Sequence, residues 1–79
     1  MPRETRYAEL TAGDVQYRAY SETTTATHNG YPEVLHTAIS FERRLPGFFS
    51  FEVVEAVEIP NKHHRRILRS LDNADPIEF

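Results

Sequence analysis

The chain has 79 residues, of which 39% are hydrophobic and 27% charged, with no cysteine and a net charge of −3. That length supports one domain with a single small core, and the missing cysteines exclude a disulfide framework, a thiolate metal site and a thiol nucleophile. The negative balance argues against sequence-independent coating of nucleic acid, and no apolar run approaches the ~18 residues of a membrane span. One domain over residues 1–79 is therefore expected, cytoplasmic, with loose ends at 1–4 and 73–79.

Residues 6–10 and 15–22 alternate in part and are joined by Thr11, Ala12, Gly13 and Asp14, which predicts a β-hairpin. In its second strand Val15, Tyr17 and Ala19 share one face, while Gln16, Arg18, Tyr20 and Glu22 share the other. The polar run 23–30 ends in Asn29-Gly30 and reads as the longest loop.

Residues 32–45 fit two periods. Leu35, Thr37, Ile39 and Phe41 alternate as in a strand. At the helical step of roughly 100° per residue, Val34, Leu35, Ala38, Ile39, Phe41 and Leu45 fill one arc, and only Glu42 is misplaced. Pro32 and Glu33 suit a helix start, Arg43 and Arg44 suit its end, and Pro46-Gly47 stops it. A helix is the expectation.

Residues 48–59 (FFSFEVVEAVEI) are rich in aromatic and β-branched types and read as the central strand. Phe49, Phe51, Val53, Val57 and Ile59 would face the core, with a bulge at Glu55. Residues 61–71 (NKHHRRILRSL) form a second helix in which Asn61 is the cap and His64, Ile67, Leu68 and Leu71 make the apolar stripe. In the tail Ile77 and Phe79 are positioned to dock back on the body. The expected fold is α+β in the order β-β-α-β-α: a three-stranded, mostly antiparallel sheet in the order 2-1-3, with two helices on one face.

The second helix also carries a cationic stripe of Lys62, Arg65, Arg66 and Arg69, four of the chain's nine Lys and Arg. With Arg43 and Arg44 these make the candidate partner-binding set. The helix begins with Lys62 and His63 and ends with Asp72, against the preference of its dipole for anions at the start and cations at the end. Either neighbouring carboxylates, with Glu55 and Glu58 nearest in sequence, or a partner would account for that order.

Four histidines are present, but His63 and His64 are adjacent and diverge on a helix. No HExxH or comparable spacing exists, so no metal or cofactor is expected. The serines lack a nucleophile elbow, and Gly13, Gly30 and Gly47 are too scattered for a phosphate loop, so the expectation is not an enzyme. These residues point to a small non-enzymatic binding protein that occupies a macromolecular partner, a protein or a protein–nucleic-acid complex, through charged surface. Its class would be that of phage or mobile-element inhibitors of a host defence or transcription complex, of the anti-CRISPR type. Direct nucleic-acid binding by the same helix is the alternative. Monomer and homodimer both remain open, an edge strand at 6–10 being one place for chains to pair.

Overall fold

The computed structural model describes residues 3–77, the side chain of Leu35 excepted. It is a four-stranded antiparallel meander with one helix. The strands are β1 (Arg3–Ala12), β2 (Val15–His28), β3 (Tyr31–Arg44) and β4 (Glu52–Val54), in the order β1-β2-β3-β4. A single 3-10 turn at Ala56–Glu58 leads into helix α1 (Asn61–Asp72). Ile77 N donates to Thr5 O at 2.7 Å and bridges antiparallel to Thr5, a one-residue fifth strand outside β1. The three-stranded, two-helix arrangement is thus corrected: among the described residues every strand pairing is antiparallel, and no crossover places one strand parallel to another.

The first turn is two residues long. Ala12 pairs with Val15, and Gly13 takes the positive φ of 62° suited to the first central position of a type II′ turn. The second hairpin accounts for the largest departure from expectation. Asn29 (φ 52°) and Gly30 (φ 82°) both adopt the left-handed backbone of a type I′ turn, whose twist matches that of the flanking strands. His28 therefore faces Tyr31, and pairing continues to Gln16 opposite Arg44 with a register shift between Thr24 and Thr25. The Thr-rich stretch is strand, as its β-branched side chains favour. Residues 32–45, whose apolar arc resembles a helix, are held extended by this zipper. Pro32 is tolerated because β3 is an edge strand at that level.

The expected central strand at 48–59 reduces to three residues at the sheet edge. Leu45, Pro46, Gly47 and Phe48 form a turn closed by Phe48 N donating to Leu45 O, with Gly47 at φ 85°. Phe49, Val53 and Val57 are exposed to 98%, 79% and 87%, whereas Val54 and Ile59 are buried. Glu55 marks no bulge; its backbone N–H donates to the Glu58 carboxylate at 2.7 Å at the start of the 3-10 turn. Pro60, not Asn61, occupies the N-cap of α1, and its carbonyl accepts from the amides of His63 and His64.

Ala8, Ala19, Phe41 and Val54 lie side by side across the four strands and define the face that α1 covers. Ile67 and Leu71 complete the core with Tyr17 and Ile59, and Leu68 packs against it. Alanines at Ala8 and Ala19 let a helix approach the sheet closely, which is why a 12-residue helix that buries Ile67 and Leu71 can close so small a core. The apolar stripe of α1 is the one expected. Phe79 lies outside the described residues.

Candidate functional site

The helical step places Lys62, Arg65, Arg66 and Arg69 on the side of α1 opposite Ile67 and Leu71. All four are exposed, within about 10 Å of helix axis. The ion pairs among the described residues lie elsewhere: Arg3 with Glu22 at 3.0 Å, Arg6 with Glu4 at 2.7 Å, Arg18 with Glu9 at 3.7 Å and Arg43 with Glu52 at 2.7 Å. No side-chain hydrogen bond reaches the four α1 cations among the described residues. Glu55 and Glu58 do not neutralise them.

Arg43 and Arg44 differ from the α1 set and from each other. Arg43 lies opposite Tyr17 on the helix-covered face, and its Nε and Nη2 both donate to Glu52 Oε1, at 3.1 and 2.7 Å. That hydrogen bond is the main reason its guanidinium is held above the ordinary value. Arg44 projects from the other face, donating to Gln16 Oε1, with its guanidinium 5.1 Å from the centre of the Phe51 ring. The six sequence candidates therefore divide into four cations on one helix without an ion-pair partner among the described residues and two arginines engaged within the sheet.

The sheet face away from α1 carries an aromatic–cation layer that strand alternation foretold only in part. Tyr7 and Tyr20 are cross-strand neighbours with ring centroids 5.0 Å apart. Arg18 lies 3.6 Å over Phe51, a cation–π contact that occupies its guanidinium, because its buried Nε finds no hydrogen-bond partner and Glu9 is 3.7 Å away. Nothing in the sequence marks Phe51, reached through a loop, as the ring that Arg18 meets. Tyr7 donates to Glu9, and desolvation, followed by that bond, raises its phenol to about 12. Each ring of this layer already has a partner.

At the start of α1, His63 packs beside Tyr17 with centroids 5.9 Å apart, and His64 meets Phe41 edge-on at 5.4 Å. Both histidines serve packing. No group of three or more metal-capable side chains occurs among the described residues. An open cleft of about 320 Å³ between the two turns at that end gathers Asp14, Gln16 and Arg44 with Leu45, Pro46 and Phe48. Arg44 is already held there by Gln16. No helix among the described residues is long and apolar enough to cross a membrane.

At the other end of α1 is a residue that sequence reading missed. Arg6 Nη1 donates to the Asp72 carbonyl at 2.9 Å, so a cation from β1 closes the helix C-terminus. Sixty-six positions separate the two residues, and no local pattern announces the contact.

Compared with protein-family models, with curated proteins and with solved structures, the chain matches none.

Proposed function

We propose that the chain is a non-enzymatic binding protein whose α1 cations, Lys62, Arg65, Arg66 and Arg69, occupy an acidic surface on a protein partner. One observation carries the reading: among the described residues Arg3, Arg6, Arg18 and Arg43 have carboxylate partners and Arg44 an amide, while the four cations of α1 have none. Exposed, unpaired cations on a rigid helix steer association and discriminate between partners more than they add raw affinity. Occupation rather than chemistry is the mode of action, the one an inhibitor of a larger complex would use.

An acidic protein fits better than nucleic acid. Phosphate binding of single strands recruits free aromatic platforms, and here Phe51 is covered by Arg18 while Tyr7 and Tyr20 pack on each other. The test is affinity capture from the native host with the wild-type chain and with R65E/R66E/R69E, alongside band shifts with duplex DNA and RNA at low salt. The triple variant should keep its circular dichroism and lose the captured protein. Equal capture by both chains overturns the proposal, and so does a band shift whose log–log salt slope reports several phosphate contacts.

A further inference from the structure

The chain has three asparagines, Asn29, Asn61 and Asn73, and only Asn29 is followed by glycine. An asparagine loses its side-chain nitrogen when the amide of the next residue attacks its Cγ, so that amide has to be free and uncrowded. The three sites differ in this respect. Ala74 N donates to Leu71 O at 3.2 Å, which occupies the amide after Asn73. The amide after Asn61 belongs to Lys62, fixed in the first turn of α1 and carrying a full side chain. Gly30 N has no backbone acceptor among the described residues, Asn29 is exposed, and no atom lies within 4 Å of where a Cβ on Gly30 would sit.

What protects Asn29 is the turn itself. Ring closure brings the Cβ of Asn29 into line with Gly30 N, a rotation that the left-handed turn through Asn29 (φ 52°) and Gly30 (φ 82°) does not have. The end of the hairpin therefore has to open first, and little opposes that opening. β1 pairs with β2 only as far as Thr24, and β4 covers β3 only at 41–43. The four pairs from Thr25 opposite Val34 to His28 opposite Tyr31 are thus a two-stranded ribbon among the described residues, and such ribbons are marginal in water alone. The register shift between Thr24 and Thr25 separates them from the supported sheet, so they can open while the core of Ala8, Ala19, Phe41 and Ile67 stays packed.

We infer that Asn29-Gly30 is a site of spontaneous isoaspartate formation, with water as its only co-reactant. Gly30 N bonds to Asn29 Cγ, Nδ2 departs as ammonia with the amide proton, and a succinimide ring remains. Water then breaks one of the ring's two C–N bonds. Breaking the bond to Cγ leaves aspartate in a normal chain, whereas breaking the bond to the main-chain carbonyl routes the backbone through Cβ and Cγ as isoaspartate. Either product adds a carboxylate to a stretch, Thr23 to Ser40, whose only Asp, Glu, Lys or Arg is Glu33. Isoaspartate also lengthens a two-residue turn whose geometry sets the pairing, so His28 no longer faces Tyr31. The register shift confines the damage to the ribbon, and α1 keeps its place. This inference does not depend on what α1 binds.

The test ages the purified chain at physiological temperature and slightly alkaline pH. Isoaspartate is read by methyl transfer from labelled S-adenosylmethionine with an isoaspartyl methyltransferase, and peptide mass spectrometry gives the position. Conversion should appear at Asn29 and not at Asn61 or Asn73, and Asn29→Gly, which suits the same turn, should accept no label. The urea-unfolded chain supplies the reference rate. The folded chain should convert no more than about 30-fold more slowly, as for an opening of small cost, whereas a route through global unfolding would be slower by ~10³-fold or more. Urea below the unfolding transition separates the routes again: the rate should stay nearly flat, not rise with the full m-value. Asn29 left intact in the folded chain while the unfolded chain converts overturns the inference. Label that persists in Asn29→Gly, or a rate that climbs with urea as global unfolding does, also overturns it.

Discussion

Ile67 is the side chain on which the attachment of α1 depends, and truncating it separates this packing from the one that alternation along 48–59 suggests. It has no exposed surface and lies in the core with Ala8, Ala19 and Leu71. Ile67→Ala removes Cγ1, Cγ2 and Cδ1, about 2.4 kcal/mol of transfer free energy at ~0.8 kcal/mol per carbon. The alanine floor cannot collapse to fill the space, so a cavity of a few tens of Å³ adds ~1 kcal/mol. The expected loss is about 3 kcal/mol, against a total of ~4–12 kcal/mol for a chain of this length. The protein should stay folded at room temperature and lose ~12–24 °C in Tm. Val57→Ala and Val53→Ala are the controls: exposed to 87% and 79%, they should cost no more than ~0.5 kcal/mol. Urea titration followed by circular dichroism reads all three, with the m-value unchanged if only stability moves. A loss below ~1 kcal/mol for Ile67→Ala, or a Val57→Ala loss matching it, would refute this placement of helix and strand.

Arg6→Ala removes the charged donor from the Asp72 carbonyl and should cost about 1 kcal/mol, with faster amide exchange in the last turn of α1; unchanged exchange there would remove the capping role. Tyr7 should ionise near its raised value of about 12 when phenolate absorbance is followed with pH in the wild type and in Tyr7→Phe, and Glu9→Gln should bring it down in part. Because the unfolded chain releases this proton near 10 and the folded chain later, stability should fall as pH rises from about 10 towards 12, and Tyr7→Phe should flatten that fall; an unaltered slope in Tyr7→Phe assigns the effect elsewhere.

How much could be read in advance depended on the range over which the deciding interaction acts. The hairpin opening the chain and the apolar stripe of α1 were legible because a short turn and a 3.6-residue period are local. The segment 32–45 was not. Its apolar residues satisfy both periods, and the dipole-matched ends, Glu33 and Arg43-Arg44, were persuasive but not decisive. The stronger signal is Asn29-Gly30, a two-residue turn that needs a strand on each side and so holds 31–44 extended against β2. In the strand, Arg43 and Arg44 find cross-strand partners in Glu52 and Gln16, a use invisible until the register is known. Within 48–59, alternation placed Val53 and Val57 inside, but β4 ends at Val54 and the 3-10 turn breaks the phase. The four cations of α1 were identified with their grouping intact, because a helix surface is fixed by spacing alone.

The reversed charge order of α1 now divides into two halves. At the C-terminus Arg69 lies in the last turn and Arg6 reaches the Asp72 carbonyl, so the negative end of the dipole is answered from within the molecule. At the N-terminus no acidic residue lies in the first turn, Pro60 provides no side-chain cap, and Lys62 is exposed where a cation is disfavoured by ~0.3–1 kcal/mol. Only this half lacks an internal explanation, which makes Lys62 the most informative of the four cations. Lys62→Glu replaces a misplaced cation with an anion and should stabilise the fold by about 0.5–1 kcal/mol, read as a higher urea midpoint. If the α1 face binds an acidic partner, the same substitution should weaken capture of that partner, so stability and binding move in opposite directions. A variant that is more stable and binds equally well would leave Lys62 an uncorrected surface charge, while an unchanged midpoint would show that the dipole is screened at this helix start and that its charge order carries no information.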